Sequence, residues 1–485
     1  MATIRYIKRY NKWYVYDVEQ YWDKELKKPR QKTKYLGVAK EKDGEYSKPN
    51  KNTDVATQLT VAKTTTSGSN AIVDFGDSYA INEISKTSGL SSIIADSFGH
   101  LDSIMALICF QITEGSALYN CESWLGGNIA SKLFIQAKIN SQDASKLIQI
   151  LGRQDLQVKF FKDYVAKFFP NKRGVLIDST ALPSAINSSI NAFGYSGGNI
   201  EQNISCLMLV DQKSKLPIYF RAIGGDIADI STVKSTVAEI RRLGLDADSV
   251  ILDAGFCSKE NLQFMCTEQL KFITRLPKSH KIFHELVKQA GHMEARKHAV
   301  TYGDRVVFIK SRKLEIYGHE IYAHIILDPS KKSKDLNIIL KNQLDDQLSK
   351  QAIKELDEKM KSAGFFILLS FKDIEKNDIL PSYYARQSIE QVFGFAKSNN
   401  NLLPLRVHSE QSIKGYLMLV FLALVVFINI RQKSKLPMDK TLLILRSLKA
   451  KIFDDEVIVQ EANKKTKDIF KELGILVPTT TSNFL

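Results

Sequence analysis

Two aspartates each close a short apolar run of the kind that forms a buried strand. Asp178 follows GVLI at 174–177, and Asp253 follows SVIL at 249–252. A carboxylate at the end of a strand lies at the rim of the sheet, where ligands gather. The alternative is that each aspartate only caps the turn or helix that comes next. For either residue alone, the capping interpretation is favoured.

A third segment favours a ligand-binding role for the two aspartates over a capping role. In PSYYARQSIEQVFGFAKS, the residues Tyr383, Arg386, Glu390 and Lys397 are spaced three, four and seven apart. At about 100° per residue of a helix, their directions fall within about 60° of one another. A solvated, salt-bridged helix face would explain Arg386 and Glu390. It would not explain why a third carboxylate accompanies two carboxylates on strand ends.

The same spacing carries a family resemblance. The pattern Y-x2-R-x3-E-x6-K at 383–397 matches the Y-R-E-K motif of transposases in the insertion-sequence-4-like superfamily. VLIDST at 175–180 and VILDAGF at 250–256 resemble the first and second aspartate blocks of these DDE enzymes. The aromatic, basic start of the chain is similar to the N-terminus of one subgroup. The resemblance is densest over 173–275 and 364–430.

This resemblance implies an α/β fold, with an RNase H-like catalytic core interrupted by a β-rich insertion. It also implies that Asp178, Asp253 and Glu390 form a metal-binding catalytic triad. The 137 residues from Asp253 to Glu390 fit the insertion that such transposases carry between their last two acidic residues. The expected cofactor is a pair of Mg²⁺ or Mn²⁺ ions.

General chemistry agrees with that triad. Three converging carboxylates repel one another unless a divalent cation neutralises them, and oxygen ligands select Mg²⁺ or Mn²⁺ over Zn²⁺. Two ions about 3.5–4 Å apart clamp the attacking and leaving oxygens of a displacement at phosphorus. Arg386 and Lys397 are then placed to bind DNA phosphates. Tyr383 is expected to hydrogen-bond a phosphate or to pack on the terminal nucleotide.

The pattern of apolar and polar residues along the chain predicts which elements position these residues. Apolar runs alternate with helical periodicity after residue 173, which predicts one mixed sheet with helices. The predicted segments are a basic, aromatic β unit with a hairpin at 1–51, a linker at 52–75, a helical and DNA-binding region at 76–170, the first part of the core at 171–276, a β-rich insertion with a charged helix at 277–360, the second part of the core at 361–432, and a basic helical tail at 433–485.

The charge of the chain favours a polyanionic partner. Its formal net charge is +15, and residues 1–51 alone hold 14 Lys and Arg against 7 Asp and Glu. We expect DNA as the partner, both terminal inverted repeats and target DNA. A helix-turn-helix near 81–97, with Ser88-Gly89 as the turn, is one candidate for the element that recognises DNA. A helical region that only packs, and a β unit that is only a solvated basic hairpin, are the alternatives.

The cysteines and the apolar segments place the chain in a cytoplasm. Five cysteines without any C-x-x-C pair indicate buried thiols in a reducing compartment. The apolar run at 416–428 spans 13 residues, shorter than the roughly 20 that a membrane span needs, and predicts a buried core helix. We therefore expect a cytoplasmic protein without membrane contact, and the resemblance implies a bacterial or archaeal, nucleoid-associated one.

Several other residues have open roles. Asp229 is expected to cap a helix, with a role near the triad for it or Asp226 as the alternative. His280 and His284 are four apart, a weak zinc pattern without a third ligand nearby. Three tyrosines of the insertion are candidates to stack on an unstacked base, although strand packing explains each of them equally: Tyr302, Tyr317 and Tyr322.

The leading hypothesis is a DNA transposase that cleaves element ends and transfers them into target DNA, as a homodimer on DNA. One alternative is a stand-alone nuclease on the same fold. Another is an inactive or domesticated DNA-binding descendant, against which the intact triad and motif argue.

Overall fold

The structure is a computed structural model. It describes residues 2–9, 12–23, 28–39, 41–42, 46–47, 71–184, 186, 188, 190–196, 199–226, 232–341, 350–398, 409–453 and 456–477. The chain divides into two compact units, Met1–Gly68 and Ser69–Leu485.

The first unit contains an antiparallel sheet with the strand order β1-β2-β3-β4. Its strands are β1 (Ala2–Arg9), β2 (Lys12–Asp23), β3 (Lys28–Ala39) and β4 (Tyr46–Ser47). In β2, Val15 and Val18 are buried, whereas Glu19 is exposed. The expected hairpin is therefore the centre of a larger sheet. Most of the predicted linker, 52–70, lies outside the described residues.

The second unit begins with a short strand and a helical block, as the apolar periodicity predicts. The elements are β5 (Ala71–Asp74), α1 (Gly76–Ser88), α2 (Leu90–Phe98), α3 (Leu101–Thr113), α4 (Cys121–Gly126), α5 (Ala130–Leu133), α6 (Ser141–Leu151) and α7 (Gln154–Phe168). Gly89 separates α1 from α2 with a φ of 77°, a conformation that favours glycine. Most of α2 is buried, which favours packing over DNA reading for this helix.

The mixed sheet predicted from the sequence is present. Its elements in this part of the chain are β6 (Arg173–Pro183), β7 (Ala192–Ser196), β8 (Asn199–Asp211), β9 (Pro217–Gly224), α8 (Val233–Arg242), β10 (Ala247–Leu252), α9 (Lys259–Thr267) and β11 (Lys271–Leu276). β10 runs parallel to both β6 and β11, whereas β6, β8 and β9 pair antiparallel. Continuous apolar runs form β6 and β10 because both faces of a covered parallel sheet are buried.

The insertion extends this sheet instead of forming a separate one. It comprises α10 (Lys281–Ala290), β12 (Ala299–Tyr302), β13 (Arg305–Ile316), β14 (His319–Leu327), α11 (Pro329–Lys341) and α12 (Lys350–Lys361), and β15 (Phe365–Ser370) follows it. The strand order is β12-β13-β14-β15-β11-β10-β6-β8-β7, with β9 on β8. The predicted charged helix at 336–360 starts earlier, at Pro329, and residues 342–349 lie outside the described part.

The C-terminal part departs from the prediction in two places. Its elements are α13 (Ile379–Tyr384), α14 (Gln387–Ser398), α15 (Glu410–Lys433), α16 (Met438–Arg446), β16 (Lys449–Phe453), β17 (Glu456–Val459) and α17 (Lys464–Leu473). The single helix expected over 381–397 is two helices. The tail expected to be helical contains the β16–β17 hairpin, because β16 pairs with β5 from the other end of the unit.

The apolar helix α15 is a core helix. By length and composition it is the one single helix of the described residues that passes as a membrane span, yet 83% of its apolar window is buried inside the structure. It packs closely on α6: a Cβ at Gly415 would lie 1.7 Å from the carbonyl oxygen of Ile148, so this position admits glycine alone. The expectation of a buried core helix is confirmed.

Candidate active site

Asp178 and Asp253 lie side by side on the sheet. Ile177 of β6 pairs with Leu252 of β10 in parallel, so the next residue of each strand is an aspartate at the same level. The expectation that both aspartates end strands is wrong for Asp178, since β6 continues to Pro183 and pairs there with β8. Asp178 instead lies beside the point where its parallel neighbour β10 stops, next to Asp253.

Arg386 lies in the break between α13 and α14. The backbone N–H of Arg386 donates to the carbonyl of Tyr383 at 3.2 Å, and the N–H of Ile389 donates to the carbonyl of Arg386 at 2.8 Å. These bonds between residues three apart interrupt the four-residue ladder of an α-helix. The predicted common helix face is therefore corrected: Tyr383 belongs to α13, whereas Glu390 and Lys397 belong to α14.

The guanidinium of Arg386 contacts all three candidate acids. Its Nη1 lies 2.7 Å from Oδ2 of Asp178, and its Nη2 lies 3.3 Å from Oε1 of Glu390 and 3.6 Å from Oδ1 of Asp253. The three carboxylates come from β6, from the end of β10 and from α14. One cation thus joins three elements that are more than 200 residues apart at the extremes.

The electrostatics of this cluster show an excess of negative charge. Burial raises the pKa of Asp178 to about 6; Arg386 opposes the shift, while the nearby carboxylates of Asp253 and Glu390 add to it. Burial alone would lower the pKa of Arg386, but the surrounding carboxylates raise it above its ordinary value. Exposure rises from 13% for the Asp178 side chain to 39% for Asp253 and 57% for Glu390, so the cluster opens to solvent on the Glu390 side.

Tyr383 and Thr274 hold Asp253 in place. The Tyr383 hydroxyl donates to Oδ1 of Asp253 at 3.1 Å, and the Thr274 hydroxyl donates to its backbone carbonyl at 3.3 Å. Burial and then the charge of Asp253 raise the pKa of Tyr383, so its proton stays on the phenol. The Arg386 guanidinium also lies 5.8 Å from the centre of the Tyr383 ring, within cation–π range. Tyr383 is therefore a buried partner of Asp253 and does not reach out into solvent.

Lys397 contacts the same strand as Asp178 at a different point. Its ammonium donates to the carbonyl of Ala181 at 3.1 Å, and burial lowers its pKa. Burial raises the pKa of the neighbouring Cys206 thiol to about 12, with Lys397 opposing the shift. All five cysteines are buried and free, as the sequence predicts.

The donor set suits a hard divalent cation, although the guanidinium now takes the carboxylate oxygens. Among the described residues, no group of three or more His, Cys, Asp or Glu side chains is arranged to hold a metal ion directly. The three carboxylates of the cluster supply only oxygen donors, which are the ligands of Mg²⁺ and Mn²⁺. The guanidinium contacts one oxygen of each carboxylate, so it competes with a metal ion for those oxygens.

Three of the remaining candidate residues, Tyr302, Tyr317 and His280, have structural partners. Tyr302 stacks on Tyr384 with ring centres 5.3 Å apart, and the hydroxyl of Tyr317 lies 2.9 Å from Nε2 of His280. His280 also caps α10 through its side chain. Asp226 is exposed and His284 is too, whereas Asp229 lies outside the described residues.

Comparison with known proteins decides the family. The model of the transposase DDE domain matches residues 170–426, more than half of the chain. The chain belongs to the DDE transposase family. The matched stretch of this DDE transposase contains Asp178, Asp253, Arg386, Glu390 and Lys397. No curated protein matches the sequence.

Eight chains of solved structures also match. One is the cryo-EM structure of the piggyBac transposase synaptic complex with hairpin DNA, at 11% identity and a TM-score of 0.42, covering 76% of this chain and 79% of that chain.

Sequence reasoning about this DDE transposase missed two features of its site. Thr274 lies on β11, directly beside β10, and only the strand pairing brings its hydroxyl to Asp253. The contact of Arg386 with Asp178 bridges 208 positions of the chain. A helix-face argument finds the Arg386–Glu390 spacing and cannot find this partner.

Proposed function

We propose that this transposase is a member of the insertion-sequence-4-like superfamily with an RNase H-like core, which cleaves DNA at the ends of its element and joins those ends to target DNA. The observation that carries the proposal is the contact of one guanidinium with three carboxylates from β6, β10 and α14. Asp178, Asp253 and Glu390 are the proposed catalytic residues, and Arg386 and Lys397 are proposed to act on the DNA side. Tyr383, expected from the resemblance to contact DNA, is proposed to position Asp253.

Two Mg²⁺ or Mn²⁺ ions, held by the three carboxylates, would supply Lewis acidity at the phosphate and a more acidic water. The chain's own residues do the positioning. Tyr383 and Thr274 fix the orientation of Asp253. Arg386, once it leaves the carboxylates, is within reach of a phosphate beside them, and its planar guanidinium suits two phosphate oxygens. Lys397 adds a second positive charge along β6.

The proposed reaction has two displacements at phosphorus. In cleavage, a water oxygen bonds to the phosphorus and the bond to the 3′ oxygen breaks, so the 3′ oxygen leaves as a hydroxyl. In joining, that 3′-hydroxyl gives up its proton, attacks a target phosphate and displaces the 3′ oxygen of the target strand. Neither step needs a covalent bond between protein and DNA.

The proposed partners are the terminal inverted repeats of the element and a target duplex. The N-terminal unit, with its net charge of +7 over 1–51, suits contact with phosphates of the repeats. Joining two ends to one target favours a homodimer on DNA. The proposed setting is the cytoplasm of a bacterium or archaeon, next to the chromosome.

The test uses the full chain and duplexes that carry the two ends of its own element. With Mg²⁺ we expect nicks at the element boundary and, with added target DNA, joined products; Asp178→Asn gives neither. Cleavage by wild type and by Asp178→Asn at equal rates would overturn the triad. Cleavage without joined products would favour the nuclease alternative, and specific binding without cleavage would favour an inactive descendant.

A further inference from the structure

A second cationic region lies in the insertion, four strands away from β10. A cavity of about 540 Å³ is formed by β13, β14, the end of α10 and the loop after β15. Four cationic side chains line it: Lys297, Lys310, Arg312 and Lys376. His298, Asp373 and Glu375 line it as well. The proposed chemistry at Arg386 makes no use of this cavity.

The cations of this cavity are held by neutral groups. The ammonium of Lys310 donates to the carbonyls of Ala290 and of His292, the latter at 2.9 Å. The ammonium of Lys376 donates to the carbonyl of Lys297 at 3.0 Å, and Arg312 donates to the side-chain oxygen of Gln289 at 2.6 Å. Carbonyl and amide oxygens orient a cation without cancelling its charge.

Neighbouring cations of the insertion behave differently. Lys313 pairs with Glu320 at 2.8 Å, and Lys332 pairs with Glu294 at 3.5 Å. Within the described residues, none of the four cavity cations has a carboxylate within 4.0 Å, although Asp373 and Glu375 share the cavity. Their positive charge is therefore available to an anion. The lowered pKa of His298, caused first by desolvation and then by Lys310, Lys297 and Lys376, agrees with this.

The strand register gives the distance from the catalytic centre. Successive cross-strand partners run from the residue before Asp253 to the cavity: Leu252, Thr274, Leu369, Ala323 and Arg312. Neighbouring strands are about 4.8 Å apart, so four steps cover roughly 19 Å. One strand of B-DNA advances about 3.4 Å per nucleotide, so this distance equals roughly six nucleotides.

The chain also links the two places directly. The loop that contributes Asp373 and Lys376 to the cavity leads into α13, and α13 carries Tyr383, the partner of Asp253. A duplex that lies along the sheet from the centre would therefore reach this cavity before it leaves the insertion.

Resting on the proposed function, we propose that this cavity binds the DNA phosphate backbone roughly six nucleotides from the scissile phosphate. Lys310, Arg312 and Lys376 make the contacts, and Lys297 adds charge at the rim. The site reads no base sequence, because its donors are flexible or charge-directed groups that face phosphates.

The experiment compares two sets of variants of the full chain. The test set is Lys310→Gln, Arg312→Gln and Lys376→Gln combined. The control set, Lys313→Gln with Lys332→Gln, removes two cations of the same insertion that have carboxylate partners. The affinity for end duplexes is measured as a function of salt concentration. The duplexes extend either three or twelve base pairs beyond the scissile bond, and each side of the bond is extended in turn.

On the long duplex of one side, the test set should reduce the slope of log affinity against log salt by about three units, one for each lost phosphate contact. On the three-base-pair duplex it should bind as wild type does, and the control set should bind as wild type on both. An unchanged slope on every long duplex overturns the proposal. An equal loss on the short duplex also overturns it, and so does an equal loss in the control set.

A chemical substitution on the DNA covers the case in which the triple variant does not fold. Neutral methylphosphonates at the fifth to seventh phosphates from the scissile bond should weaken binding of the wild-type chain. The same change at phosphates farther from the scissile bond, two and three positions past those that face the cavity, should not weaken binding. Equal effects at all positions would overturn the proposal. Cleavage of the short duplex with Mg²⁺ reports on the proposed function separately: if wild type fails there, the catalytic assignment fails, while the binding measurement still decides the cavity.

Discussion

Two carboxylates of the second unit, Asp178 and Asp77, each bond an arginine, and the two pairs serve different ends. Asp178 meets Arg386 at 2.7 Å, and Asp77 of α1 meets Arg446 of α16 at 3.0 Å. In both pairs burial is the main cause that raises the carboxyl pKa, and the arginine opposes it. Judged from the pair alone, the two places are alike.

Their surroundings separate them. Asp77 is fully buried, accepts a further bond from the N–H of Ser78, and its arginine also bonds Glu114 and the carbonyl of Thr113. This network joins the two ends of the unit, and two carboxylates share its arginine. At Arg386 three carboxylates share one cation, and their exposure increases outward to Glu390. The larger excess of negative charge at Arg386 suits an incoming cation, whereas the Arg446 network links distant parts of the chain.

The same substitution at both aspartates gives the sharpest contrast. We expect Asp178→Asn to reduce single-turnover cleavage of end duplexes by about 1,000-fold or more, since several kcal/mol of charge stabilisation is lost. The thermal unfolding temperature should not fall, because a repelling charge is removed. Asp253→Asn and Glu390→Gln should behave likewise. Any of the three that keeps substantial Mg²⁺-dependent cleavage is not a ligand.

Asp77→Asn should show the reverse pattern. Removing one partner of a buried ion pair costs about 3 kcal/mol, which we expect as a loss in the free energy of unfolding measured with urea. The folded fraction should cleave at the wild-type rate. A stability equal to wild type, or a loss of activity at equal folded fraction, would remove the distinction between the two pairs.

The pH dependence of stability should depend on Asp178. Its pKa is raised to about 6 in the folded protein. The bound proton therefore favours folding: this contribution is complete below about pH 4 and is lost as the pH rises through about 6. With EDTA present, the change over this window should be on the order of 2 kcal/mol larger in wild type than in Asp178→Asn. Parallel pH curves for the two proteins would contradict the raised pKa.

Arg386→Gln should tighten metal binding while it slows cleavage. With the guanidinium gone, the carboxylates are open to Mn²⁺, and we expect the Kd to fall about tenfold, or about 1.4 kcal/mol. Calorimetric titration with Mn²⁺ measures this. Arg305→Gln is the matched control, because Arg305 pairs with Asp328 at 2.7 Å away from the cluster. Weaker metal binding in Arg386→Gln would show that the arginine supports the site and does not compete for it.

Local sequence pattern predicted the strands that carry both aspartates, and it predicted α15 as a core helix. Strand length was harder to predict: the polar residues after Asp178 suggest an end, but antiparallel pairing with β8 continues β6 to Pro183. The break at Arg386 was missed as well, because spacing alone is compatible with a straight helix. Its ion pair with Asp178, 208 residues away, is a tertiary interaction that no local pattern contains.

The C-terminal hairpin was missed for the same reason. The segment at 449–459 alternates polar and apolar residues over only a few positions, and β16 gains its second strand partner only from β5. Candidate site residues were easier to find than their arrangement, since residue type and spacing are local, whereas orientation depends on the sheet.

The pairing of β5 with β16 also orders events during synthesis. Asp74 and Lys449, which form an ion pair across these strands, are 375 residues apart in the chain. A ribosome that adds about 5–20 residues per second needs roughly 20–75 s between them. Throughout that interval β5 has no strand partner, and α15 emerges only near its end. A chain cut short before residue 449 therefore lacks the strand that closes the unit, so incomplete translation products are expected to be degraded by proteases.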